Sequence, residues 1–162
     1  MTATRLREPS QRVSPRARLM WLLAAALQGA ALLVVLVIAG PVREWVPMPG
    51  WALALAAVAV VAYVAVVPQW RYLVHRWETT DTAVYTQTGW WARERRIAPM
   101  SRIQTVDYVE GAVARLFGLA SVTVTTASAA GALEIAGLDQ ARARQLVDEL
   151  TLKANALEGD AT

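Results

Sequence analysis

Two apolar runs decide the fold of this chain: residues 19–42, LMWLLAAALQGAALLVVLVIAGPV, and residues 45–70, WVPMPGWALALAAVAVVAYVAVVPQW. Neither run contains a charged residue, and only Arg43 and Glu44 separate them. A helix rises about 1.5 Å per residue, so each run can cross a hydrocarbon core of roughly 30 Å. Because only a helix satisfies its own backbone in lipid, the two runs predict a transmembrane helical hairpin that acts as an anchor.

The charge is divided unevenly along the chain, whose net charge is +3. Residues 1–18 carry five arginines and one glutamate, whereas the chain from Arg71 onward has a net charge of −1. A nucleic-acid site would need its basic patch on the folded domain, so the pattern argues against nucleic acid as a partner. Arginines beside a span instead indicate a cytoplasmic side, which predicts that both termini are cytoplasmic.

Tryptophans near the ends of the spans fit an interfacial belt, in which Trp21 and Trp70 lie near the inner interface and Trp45 and Trp51 near the outer one. Small residues spaced by four also occur in both spans. Such spacing lets helices approach closely, although alanine is simply abundant here. These pairs are Ala25 with Gly29 and Ala52 with Ala56.

After Arg71 the pattern changes to short alternating runs broken by turn residues, which predicts an antiparallel sheet. The expected strands are residues 72–78, 82–88, 91–98, 102–109 and 121–126, followed by a strand that contains Leu133 and Ile135. Gly89 supplies the turn between the second and third strands, and residues 129–131 form the last hairpin loop. Residues 113–117 predict a single helical turn.

The chain closes with a predicted helix, because Asp139 stands at an N-cap position and apolar residues then recur at helical spacing. Six or seven strands in a curled antiparallel sheet, plugged by this helix, describe a pleckstrin-homology (PH)-like barrel or sandwich, although the pattern alone does not separate it from other small barrels. The domains are therefore a basic tail (1–18), the hairpin (19–70), a PH-like domain (71–156) and a disordered tail (157–162). The first fifteen residues are likewise expected to be disordered.

Two ordered segments carry a resemblance to a known family: RRIAPMSRIQTV at residues 95–106 and RLFGLASVTVTT at residues 115–126. Together they resemble the bacterial pleckstrin-homology family often called YdbS-like, in which paired membrane helices also precede the domain. The resemblance covers roughly residues 71–150, and Ala98 departs from it, because relatives carry a larger aliphatic residue before the proline. It implies a membrane-tethered PH-like domain in a bacterial cell membrane and no established reaction.

Within this domain, Gly118 precedes a strand and is expected to adopt a positive φ that a side chain would disfavour. The expected core residues are Ile103, Val106, Leu116, Phe117, Leu119, Val122 and Val124. Arg102 and Gln104 alternate with Ile103 and should face away from it, either as a solvated sheet face or as a partner-facing edge.

The segment 89–96 is the candidate for contact with a lipid or a partner, because aromatic and basic residues attract an anionic interface. Its candidate residues are Trp90, Trp91, Arg93, Arg95 and Arg96. The alternative is a solvated strand, since Glu94 interrupts the charge and one tryptophan should face the core.

Nothing in the sequence points to catalysis, to a cofactor or to a metal site. The chain has no cysteine, and its lone histidine, His75, is expected on a strand close to the membrane as a surface or interfacial residue. Asp107 and Glu110 lack a partner base or nucleophile at a recognisable spacing. The chain is therefore predicted not to be an enzyme.

Three functions fit these observations. The favoured one is an interaction module on the cytoplasmic face that binds a protein partner or a second copy of itself, because confinement to a membrane raises effective concentration. The second is a sensor of anionic lipids through the segment 89–96. The third is an accessory subunit of a larger membrane complex, suggested by the small residues in the spans.

Overall fold

The computed structural model describes residues 8–43, 45–89, 91–127 and 131–159. Two antiparallel helices come first: α1 (Pro15–Val37), which continues into a π-helical turn (Ile38–Val42), and α2 (Gly50–Val74). Both are long and apolar enough to cross a membrane, with mean hydropathies of 2.6 and 2.4. Pro41 lies in the π-helical turn and cannot donate a backbone hydrogen bond, which favours the end of the first helix there.

The small residues of α1 lie against α2. Ala25 and Gly29 are buried, and a side chain added at Gly29 would overlap Val60 of α2. The four-residue spacing therefore serves contact inside the hairpin, because the missing Cβ of Gly29 is what lets the two backbones approach.

The domain that follows contains two antiparallel sheets. One sheet has the order β1-β2-β3-β4 and the other the order β5-β6-β7. A short 3₁₀ turn (Met100–Arg102) leads from β4 into β5, and a helix, α3, connects β5 to β6. The strands and α3 have these bounds: β1 (Gln11–Arg12), β2 (Arg76–Thr79), β3 (Ala83–Thr88), β4 (Glu94–Pro99), β5 (Ile103–Val109), α3 (Ala112–Leu116), β6 (Leu119–Thr126) and β7 (Leu133–Asp139).

The first predicted strand, residues 72–78, is wrong over its first half. Residues 72–74 belong to the last turn of α2, which ends with a hydrogen bond from the His75 N–H to the Arg71 carbonyl (2.9 Å). Tyr72 packs on the core and Val74 is buried, so tertiary contacts stabilise the added helical turn over the β propensity of these residues.

The expected disorder of residues 1–15 is also wrong for the part of this segment that the structure describes. Gln11 and Arg12 form β1 and pair with Trp77 and Arg76 of β2. Ser14 then caps α1, its backbone N–H donates to Gly137 O (2.8 Å), and its hydroxyl donates to Asp139 Oδ1 (2.9 Å). The segment is ordered because its backbone and hydroxyl groups find partners on distant elements.

A last helix, α4 (Gln140–Gly159), packs against β5, β6 and β7 and against the 3₁₀ turn. Its residues Ala143, Leu146 and Leu150 are fully buried, as the helical spacing predicted. The helix starts directly after Asp139 and includes residues 157–159, which were expected to be disordered; residues 160–162 lie outside the described part of the chain.

The core contains residues from both sheets, from α4 and from the start of α1. Of the expected core residues, Ile103, Leu119, Val122 and Val124 are buried, and Val106 and Phe117 pack against them. Leu116 is the exception, since 83% of its surface is exposed. In the short helix α3 the residues that pack on the core are Ala114 and Phe117, three positions apart, which leaves Leu116 on the outer side.

Candidate functional site

The segment 89–96 consists of the turn between β3 and β4, which starts at Gly89, and the first three residues of β4, Glu94 to Arg96. Gly89 has a φ of +114°, and a Cβ there would overlap the carbonyl oxygen of Ala92, so the turn requires glycine. Trp91 is 89% exposed and Arg93 is exposed as well. Trp90 lies outside the described residues, so the expectation that one tryptophan faces the core is not tested there.

Two of the candidate arginines make contacts within the protein. Arg95 donates from Nη2 to Glu8 Oε1 (2.8 Å) and from Nε to Gln87 Oε1 (2.9 Å). Arg96 donates from Nε to Glu94 Oε1 (2.6 Å) and from Nη1 to the carbonyl of Ala132 (3.1 Å). These side chains connect β4 to the N-terminal segment and to the residue that precedes β7, so they do not form one outward basic patch with Arg93.

Arg102 and Gln104 are exposed on either side of the buried Ile103, in agreement with the predicted alternation. Arg102 ends the 3₁₀ turn and Gln104 is the second residue of β5. Within the described residues only β6 pairs with β5, so β5 is an edge strand. The exposed side chains Val109, Val113 and Leu116 follow along the end of β5 and on α3.

A cavity of about 530 Å³, which we call the junction cavity, lies between α2, β3, β4 and β7. Its charged lining consists of two arginines, Arg71 and Arg96, and two glutamates, Glu94 and Glu134. Tyr63 and Val67 of α2 supply apolar wall. Sequence reasoning did not find this site, because its residues come from four separate elements, of which β7 is distant from the other three in the chain.

Beside the junction cavity, three aromatic and basic side chains are packed together. The Arg71 guanidinium lies 4.3 Å from the centre of the Trp21 ring, and the Trp21 and His75 rings are 5.1 Å apart. Trp21 and His75 are both buried, so the predicted surface place of His75 is wrong, whereas the predicted depth of Trp21 near the inner interface stays a prediction. Both belong to the joint between hairpin and domain, where a cation over an aromatic face is favourable.

Burial and, secondarily, the positive charge of Arg71 lower the pKa of His75 to about 4. Both effects disfavour the charged imidazolium. His75 is therefore neutral at pH 7 and contributes polarity without charge to the wall of the junction cavity.

A second, mainly apolar groove of about 460 Å³ lies between α1 and α2. Ala25, Gln28, Gly29 and Leu32 line it on one side, and Ala56, Ala59, Val60 and Tyr63 on the other. Tyr63 borders both the junction cavity and this groove. Within the residues that the structure describes, no group of three or more His, Asp or Glu side chains is placed to hold a metal ion.

Comparison with known proteins gives a consistent result. The sequence pattern of the bacterial PH domain family matches residues 19–154, which include both apolar helices and most of the domain. The chain is also 25% identical over 157 residues to the UPF0699 transmembrane protein YdbS of Bacillus subtilis (strain 168), covering 94% of this chain and 98% of that protein. No solved structure matches the chain significantly.

Proposed function

The chain belongs to the bacterial PH domain family of membrane proteins, and on that premise we propose that it is a non-enzymatic interaction module. Its hairpin holds the PH-like domain on the cytoplasmic face of the cell membrane, where the domain binds a protein partner or a second copy of itself. The observation that carries this proposal is the exposed edge strand β5, flanked by apolar side chains on a domain that is fixed to its anchor.

The packing of the hairpin against the domain supports the proposal, because it keeps the β5 edge in a constant orientation relative to the membrane. β1 pairs with β2, and Val13, Ala17 and Trp21 belong to the core of the domain. A partner that is also confined to the membrane would then meet the same edge at high effective concentration.

The edge itself has the features of a docking strand. β5 presents Gln104, Thr105, Asp107 and Val109 as exposed residues. An edge strand offers backbone groups that can pair with a strand of another chain. The exposed Val113 and Leu116 lie on α3, which follows β5 in the chain, and add apolar surface to the domain.

Capture of the complex from membranes tests the proposal. The full chain, the variant Val109→Lys/Leu116→Lys and the control Leu152→Lys are expressed, chemically crosslinked in membranes and purified after mild solubilisation. Leu152 is 71% exposed, but it lies on α4. We expect one reproducible crosslinked species for the wild type and the control, and at least a fivefold loss for the double variant. Recovery of only a monomer, or equal crosslinking of all three chains, would contradict the proposal.

The orientation rests on the five arginines before Leu19 together with Arg71 and Arg76. Of these, Arg12, Arg16, Arg18, Arg71 and Arg76 lie within the described residues, at the domain end of the two helices. Because the chain has no cysteine, single cysteines at Ser10 and Met48 report the two sides without background. In intact cells, we expect a membrane-impermeant maleimide to label Met48→Cys only. Labelling of Ser10→Cys alone would reverse the orientation.

Contact with anionic lipid is a second candidate function, favoured by one observation. Gly89 and Glu94 line the same cavity as Tyr63 and Val67 of α2, so the β3–β4 turn lies beside the second apolar helix, with Trp91 exposed. In nanodiscs, we expect the amides of residues 91–94 to exchange more slowly with anionic than with neutral lipid, and salt or Arg93→Gln to remove the difference. Equal exchange in both lipids would eliminate this candidate.

A further inference from the structure

The junction cavity and the apolar groove together have the shape and chemistry of a site for one amphipathic molecule. The cavity contains charged side chains and lies at the domain end of the hairpin, whereas the groove is mainly apolar and lies between the two membrane helices. Tyr63 borders both spaces, so the cavity and the groove are adjacent along α2.

The depth of the site matches that of a lipid headgroup. Val67 and Tyr63 precede Arg71 by four and eight residues, so the α2 wall descends about 12 Å from Arg71 into the span at 1.5 Å per residue. The polar layer of a bilayer is roughly 5–8 Å thick on each side of the hydrocarbon. A headgroup beside Arg71 therefore has its acyl chains at the level of the groove.

The charges of the cavity select the kind of headgroup. The two arginines of the lining balance the charge of its two glutamates. Arg96 forms an ion pair with Glu94 (2.6 Å). The Glu134 carboxylate attracts the Arg71 guanidinium. A headgroup with negative charge alone would leave Glu134 facing a phosphate once it engaged Arg71. A headgroup that carries a phosphate and an ammonium group matches both signs.

We propose that the junction cavity binds the headgroup of one phospholipid that carries both a phosphate and a primary ammonium group, with an acyl chain in the groove between α1 and α2. The phosphate lies at Arg71 and the ammonium group at Glu134. This site is separate from the β5 edge, so it goes beyond the docking function and does not depend on it.

The bilayer supplies the occupant because the groove lies within the apolar spans, where lipid surrounds the protein. Arg71 is preorganised for the phosphate, since Trp21 holds its guanidinium 4.3 Å from the ring. His75, neutral and in the wall of the cavity, adds no charge that would repel the ammonium group.

Native mass spectrometry of the delipidated full chain in detergent tests the proposal. The protein is mixed with phosphatidylethanolamine or phosphatidylglycerol at equal concentrations, with and without free phosphoethanolamine. We expect one retained phosphatidylethanolamine per chain, at least tenfold tighter than phosphatidylglycerol. Free phosphoethanolamine should not compete, because it cannot fill the groove; competition at equal concentration would overturn the proposal in favour of a soluble ligand.

Two variants assign the charges, and a third is the control. We expect Glu134→Gln to reduce the preference for phosphatidylethanolamine to below threefold and Arg71→Gln to weaken both lipids at least tenfold. Arg144→Gln, an exposed position on α4 outside the cavity, should behave as the wild type. An unchanged preference in Glu134→Gln, or tighter binding of phosphatidylglycerol by the wild type, would overturn the proposal. If Arg71→Gln fails to fold, Glu134→Gln decides alone, because the side chain of Glu134 is exposed.

Discussion

At the scale of single residues, the joint between hairpin and domain depends on two positions: Gly137, where there is no space for a side chain, and His75, which is buried without a charge. Gly137 in β7 has a φ of +76°, and a Cβ there would lie 2.7 Å from the Cβ of Ala17 in α1. Nearby, the neutral His75 packs against Trp21 beneath Arg71. These contacts make the first turn of α1 part of the domain.

Gly137→Ala should destabilise the protein more than the same change at Gly131. Both glycines have a similar positive φ, +76° and +79°, but nothing lies within 4 Å of a Cβ at Gly131. The backbone strain of about 1–2 kcal/mol is therefore shared by both variants, and only Gly137→Ala also separates β7 from α1. Thermal unfolding of the two variants in the same detergent measures the difference, and equal melting temperatures would contradict it.

His75 should make the protein less stable as the pH falls from 6.5 towards 4. The folded protein keeps the imidazole neutral, with a pKa of about 4, whereas the unfolded chain takes up a proton near pH 6.5. The stabilisation is fully present above pH 6.5 and is lost as the pH falls through this window, by on the order of 3 kcal/mol.

Chemical unfolding between pH 7 and 5 measures this effect, and His75→Phe is the matched variant because it keeps a ring against Trp21. Since His75 is the only histidine, the variant should flatten the slope between pH 6.5 and 5. An equal slope in both proteins would show that other groups cause it.

At the scale of elements, the helix pair α1 and α2 is stabilised by close van der Waals packing, because the hydrophobic effect does not drive helices together in lipid. Gly29 lies where the two helices are in contact, and its neighbours across the interface are Val60 and Val64. The domain strands, in contrast, are stabilised by burial of one apolar face, as in β6, where Val122 and Val124 are fully buried.

Gly29→Leu should separate the two helices and weaken the hairpin, because its side chain needs the space of Val60. Gly50→Leu is the control, since nothing lies within 4 Å of a Cβ at the start of α2. In unfolding by sodium dodecyl sulfate, we expect a loss of about 1–3 kcal/mol for Gly29→Leu and a change below about 0.5 kcal/mol for Gly50→Leu. Equal losses would show that the approach at Gly29 does not stabilise the hairpin.

At the scale of the whole molecule, hairpin and domain share one core. Val13, Ala17 and Trp21 precede or begin the first span, yet they are buried among residues of the sheets and α4. The sequence predicts that the hairpin ends at residue 70 and the domain begins at residue 71, but side chains from both parts pack together in this core.

The isolated segment 71–159 should not fold cooperatively, because it lacks β1 and three core residues. Joining residues 8–21 to residue 71 through a short Gly/Ser linker should restore folding, since Arg71 lies 4.3 Å from the Trp21 ring and the linker has little distance to span. Near-ultraviolet circular dichroism and thermal unfolding compare the two chains. A sharp transition in the segment 71–159 alone would refute the shared core.

Much of the fold follows from sequence because its causes are local. The length of the apolar runs, the alternation in β6 and the helical spacing of Ala143, Leu146 and Leu150 each reflect the solvent on the two sides of one element. Gly118 was identified in the same way, and its φ of +66° agrees with the prediction. The exposed alternation of Arg102 and Gln104 around Ile103 is equally local.

The two candidate sites differ in the same way: a local pattern predicted the segment 89–96, whereas the junction cavity depends on contacts between separate elements. The segment 89–96 was found from sequence as a cluster of tryptophans and arginines, but the partners of Arg95 and Arg96 lie at Glu8, Gln87 and Ala132, which no local pattern connects to it. The junction cavity brings Arg71, Arg96 and Glu134 together from α2, β4 and β7.

By itself, then, the sequence determined which segments meet lipid and which form a sheet, because burial of an element's own faces is encoded in its own periodicity. Only the tertiary structure decided that the N-terminal segment is a strand, that Trp21 and His75 are buried in the joint, and that a charged cavity opens beside α2. Those features depend on contacts between residues that are distant in the sequence, up to 125 positions for Ser14 and Asp139, whose energies come from the partner as much as from the residue itself.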